Sequence, residues 1–154
     1  MLKLVATLTF IAAVCLAADT EKQHKALASQ PTPREWHAGA VWRFVTKPRA
    51  GKPKPEILTF RVTDQSGVSC LGGWKDVWRK FVVVEGHVPS GPPIYQVEGR
   101  ALQINLSGDM CDAYDIIDGV LTGTEFRRER RIFGLGGGEV VGTVRGSLCS
   151  DERI

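Results

Sequence analysis

From Gly39 onward the chain alternates between apolar and polar residues. In AVWRFVT, Trp42 and Phe44 fall on one side and Arg43 on the other. In EILTFRVT, Leu58, Phe60 and Val62 oppose Thr59, Arg61 and Thr63. In ALQINLS, Leu102, Ile104 and Leu106 oppose Gln103 and Asn105. In EVVGTVRGSL, Val140, Val144 and Leu148 oppose Thr143, Arg145 and Ser147. A period of two with one apolar face marks half-buried strands.

The breaks between these runs carry turn chemistry. KPRAGKPKP (47–55) is too rich in proline for helix or sheet. DQSG (64–67), GHVPSGPP (86–93), Gly99–Arg100 and LGGG (135–138) suit turns and loops. The pattern predicts an all-β domain of about eight strands, with no amphipathic helix of useful length. Gly142 and Gly146 on one face of the last strand, echoed by Gly119 and Gly123, suit the bends of a closed sheet. A small antiparallel up-and-down β-barrel is therefore favoured over a β-sandwich.

Both ends differ from this body. Lys3, an apolar run from Leu4 to Leu16 and the small pair Ala17–Ala18 have the layout of a secretory signal peptide, and the run is too short to span a membrane. At Cys15 the flanks Val14 and Leu16 do not match a lipidation site. The expected organisation is a signal peptide at 1–18, a flexible lead at 19–38, a barrel at 39–150 and a tail at 151–154. Secreted or periplasmic placement follows, with no membrane contact after cleavage.

Removing 1–18 leaves 19 basic and 17 acidic residues, a net charge of +2. That is too little to argue for nucleic acid. Three cysteines remain, Cys70, Cys111 and Cys149. An oxidising compartment favours a disulfide, and Cys70–Cys111 is the expected pair because both lie inside the predicted domain. The spacing lacks the paired cysteines of a zinc site, and His24, His37 and His87 are scattered. No metal or other cofactor is expected.

Candidate chemistry gathers in three places. SGDMCDAYDIIDG (107–119) spaces Asp109, Asp112, Asp115 and Asp118 by three. Along a strand that spacing alternates faces, so the carboxylates diverge, and the stretch lacks the calcium-loop pattern. The expected reading is a turn at Asp109 and Asp112, inward Tyr114 and Ile116, a solvated Asp115, and turn or bulge chemistry at Asp118–Gly119. FRRERRIF (126–133) puts Arg127, Arg128, Arg130 and Arg131 on one strand as candidate partner-binding residues. Trp74 and Trp78 in GGWKDVW are candidate contact or core residues, and Trp36 a candidate plug at the barrel end. Asn105–Ser107 reads as a glycosylation sequon on a polar face.

Gly39 and Trp42 at the first strand, with Arg145 on the last, resemble the calycin arrangement of lipocalins, fatty-acid-binding proteins and avidin-like barrels. The spacing is Gly-x-x-Trp where lipocalins have Gly-x-Trp, and no room is left for their post-barrel helix. The resemblance implies a barrel, with Trp42 and Arg145 as a structural pair. The expected function is a secreted, non-enzymatic barrel acting through loops and surface, such as an inhibitor or cell-surface interaction protein. Its partner is a protein, a glycan or a small apolar or anionic ligand. Two alternatives stay open: a carrier with an interior pocket, and an enzyme of unknown class.

Overall fold

The computed structural model describes residues 22–49, 54–71, 77–88, 91–134 and 137–150. The segment expected to be a signal peptide, Trp74 and the tail 151–154 lie outside them. Eight strands follow one another: β1 (Val41–Pro48), β2 (Glu56–Ser66), β3 (Arg79–Glu85), β4 (Ile94–Glu98), β5 (Ala101–Asn105), β6 (Tyr114–Thr122), β7 (Glu125–Gly134) and β8 (Gly137–Ser150). Each pairs with the next, and β8 returns to β1, closing an up-and-down barrel. This is consistent with a calycin-like fold in general. Closure removes the open edges that a sandwich of these strands would leave. The seams are unequal: β3 and β4 share only two register pairs, Arg79–Tyr95 and Lys80–Ile94.

The alternating apolar faces turn inward. Trp42, Phe44, Leu58, Phe60, Leu102, Ile104, Ile117, Leu121, Phe126 and Val144 are essentially inaccessible. Phe60 stacks on Phe81 at 4.9 Å, and Phe81 on Tyr95 at 4.4 Å. Trp36 is the plug that its position suggests: its ring lies 5.2 Å from Trp42 and 5.4 Å from Tyr95. Such ring pairs each add about 0.5–1.5 kcal/mol beyond area burial. Gly146 makes room for this filling, since a Cβ there would lie 2.8 Å from the Phe44 ring.

Several expectations are corrected. Tyr114 and Ile116 do not point inward; Ile117 and Leu121 fill the interior, paired with Ile104 and Phe126. Gly119 lies within β6 beneath the Phe126 ring rather than in a turn. The lead is tied down over its described part. A short helix, α1 (22–28), accepts a hydrogen bond from Arg100 N on Leu27 O, and His24 lies 3.5 Å from Glu98. Trp42 and Arg145 do not pair, because Trp42 is interior while Arg145 is exposed on the outer face opposite Val45.

Candidate functional site

The FRRERRIF strand is β7, and its four arginines separate. Arg130 turns into the barrel end, where it is 6% exposed. Its Nε and Nη2 donate to the two Asp115 carboxylate oxygens at 2.7 and 2.6 Å, and Nη1 donates to Glu56. Burial opposes the Arg130 charge, but the two carboxylates more than offset it and raise its pKa. Asp115, expected in solvent, is buried in this ion pair. Arg130 is therefore a packed residue and not a surface contact.

Arg127, Arg128 and Arg131 stay exposed. Arg127 donates to Glu125 and Arg131 to Glu129, both at 3.1 Å, while Arg128 donates to Gln23 of α1 at 3.2 Å. Register then assembles a wider patch. Arg127 sits directly opposite Arg145 on β8, and Arg145 sits opposite Val45 on β1. Arg43 and Lys47 of β1 lie on the same exposed face, opposite Ser147 and Thr143. No ion pair among the described residues takes Arg43, Lys47 or Arg145. A shallow depression of about 420 Å³ runs between Arg127, Arg128, Arg131, Thr143, Val144 and Arg145, with Glu129, the acceptor of Arg131, among them. Sequence reading found the β7 arginines but missed Arg43 and Lys47, which join them only through the β1–β8 closure.

Next to this wall, on the same outer surface, a polar row crosses the sheet. Gln96 Nε2 donates to Gln103 Oε1 at 2.6 Å, and Gln103 Nε2 donates to Asp118 Oδ1 at 2.7 Å. Burial pushes the Asp118 carboxyl up, and the Gln103 hydrogen bond only partly offsets this. Asp118 borders two clefts, a polar one with His24, Arg128 and Arg131, and one beside the disulfide.

The remaining candidates fall elsewhere. Cys70 and Cys111 form the expected disulfide, with Cα atoms 5.2 Å apart, and Cys149 is free and exposed. Such a bond fits an extracellular or periplasmic protein. No helix among the described residues is long and apolar enough to cross a membrane. Asp109 and Asp112 are exposed at the expected turn. Among the described residues, no group of three His, Cys, Asp or Glu side chains could hold a metal ion. Trp78 is buried at 4%, with its indole N–H unpartnered, so it does not belong to a contact surface. Asn105 is fully buried: its Nδ2 donates to Gly108 O, and its Oδ1 accepts from Ser107 N. The sequon is a turn-forming Asx device and not an exposed acceptor.

Comparison with family models, curated proteins and solved structures finds no match for this chain.

Proposed function

We propose that this is an exported, non-enzymatic binding protein that holds an anionic partner on the outer wall of β1, β8 and β7. The observation that carries this reading is the exposed Arg127–Arg145 pair, directly opposite across two strands. Like charges so placed repel, and Arg43 and Lys47 add to the same face. An anion relieves that repulsion. Guanidinium groups with the neighbouring Thr143 and Ser147 hydroxyls suit sulfate, phosphate or clustered carboxylates. They offer recognition rather than a nucleophile or a proton carrier. The carrier alternative is weaker, because the Trp36, Phe60, Phe81 and Tyr95 rings occupy the barrel axis.

The test is retention on immobilised heparin as a sulfated probe, eluted by salt, for wild type and the double reversal R127E/R145E. Wild type should be retained and the variant should flow through, with melting temperatures within about 2 °C of each other, as expected for exposed sites. No retention of wild type, or equal retention of both, overturns the reading.

A further inference from the structure

A second cleft, of about 520 Å³, opens on the outer surface beside the disulfide. Leu71, Tyr114, Ile116 and Phe133 give it an apolar lining, and Cys111 borders it. Tyr114 and Phe133 are directly opposite partners on β6 and β7, so their side chains leave the sheet next to each other. Ile116 beside them is 3% exposed. Gln103 and Asp118 complete the cleft.

Its charge is one-sided. Among the described residues, Asp112 and Asp118 are the charged groups that line it, and both are acidic. The basic side chains that act on Asp118, namely Arg131, Arg128 and His24, line the polar cleft and not this one; Arg131, directly opposite Ile116, donates to Glu129. Glu129 is the residue directly opposite Asp118 on β7 and lies on the polar side as well. Gln103 occupies Asp118 Oδ1. A ligand anion here would meet two carboxylates. A neutral apolar ligand would cover a charge without pairing it, which is costly. A cation on an apolar stem satisfies both sides, its charge meeting the acids and its stem removing apolar surface from water against the rings.

We propose that this cleft binds an organic ammonium ion, with its stem against Tyr114, Ile116 and Phe133 and its charged end at Asp118. The outer surface then carries two sites of opposite preference, with Glu129 of β7 between Asp118 and the β8 side of the basic wall.

The test uses phenethylammonium as the probe, titrated at pH 7.5 into ¹⁵N-labelled protein and followed by amide chemical shifts. Saturable shifts confined to residues around Tyr114, Ile116, Asp118 and Phe133 are expected. D118N should bind at least tenfold more weakly, and 2-phenylethanol should bind wild type at least tenfold more weakly. R127E/R145E should bind the amine as wild type does, which separates this site from the basic wall. Should D118N fail to fold, the amine-to-alcohol comparison on wild type decides alone. N-acetyl-lysine methylamide distinguishes the source: equal affinity points to a partner's lysine, weaker affinity to a free aryl amine. Absence of saturable shifts, equal binding of the alcohol, or an unchanged affinity in folded D118N overturns the proposal.

Discussion

Arg130 and Asp115 meet inside the barrel end through two parallel hydrogen bonds of 2.7 and 2.6 Å. Planar, two-point pairing of this kind is specific to arginine. Removing one partner leaves the other charged and buried. We expect Arg130→Ala to lose about 3–5 kcal/mol of stability. Arg127→Ala and Arg131→Ala, whose ion pairs are exposed, should each change it by less than about 1 kcal/mol. The apolar double variant Arg130→Met/Asp115→Leu should recover most of the loss. Urea denaturation of the four variants checks this. Similar midpoints for Arg130→Ala and Arg127→Ala would contradict the packed role.

Tyr95 gives an alkaline signature. Burial pushes its hydroxyl from 10.0 up to about 12, and the hydroxyl donates to Thr63 O at 2.7 Å. The folded pKa is raised, so the unfolded chain releases this proton first. The contribution is complete below pH 10 and is lost as pH rises toward about 12. Across that window wild type should lose on the order of 2 kcal/mol relative to Tyr95→Phe. Melting temperatures of the two proteins between pH 9 and 12 measure the difference. Parallel curves would rule out the buried phenol.

Asp118 works in the same direction at acid pH. Its carboxyl is also raised by burial, so its ionisation weakens the fold above the ordinary carboxylate range. Asp118→Asn keeps an oxygen for Gln103 and removes the buried charge. The variant should melt above wild type at pH 7, and the gap should close as pH falls below 3.8. A variant that melts lower at neutral pH contradicts this account.

Asn105 should carry no glycan even in a eukaryotic secretory host, because both ends of its amide are used in the turn to Ser107 and Gly108. Intact mass before and after enzymatic deglycosylation reads this directly. Asn105→Ala should cost about 1–3 kcal/mol, the desolvation penalty of the stranded backbone groups.

The barrel was legible because most strands carry one apolar parity. Trp42–Phe44 and Leu58–Phe60–Val62 allow only one way to face a core. The plug at Trp36 and the Cys70–Cys111 bond follow from the positions of these residues in the predicted domain. β6 was misread by one residue because Ile116 and Ile117 are adjacent and both parities are apolar; what decides is Gly119, which must lie under Phe126. The arginines of β7 could not be sorted from their own run, since charges occupy both parities there. Arg130 is distinguished by Asp115, fifteen residues away, and the basic wall by a closure between the first and last strands. Local pattern sets which face a residue takes; register, which is not local, sets its company.

The disulfide has a consequence for resistance to proteolysis. Cys70 precedes β3 and Cys111 follows β5, so the bond spans the sparsely paired β3–β4 seam. A protease that cuts between β3 and β4 divides the backbone but not the molecule: the two pieces remain one covalent body until a reductant arrives. Nicked protein should therefore run as a single band without reductant and as two with it.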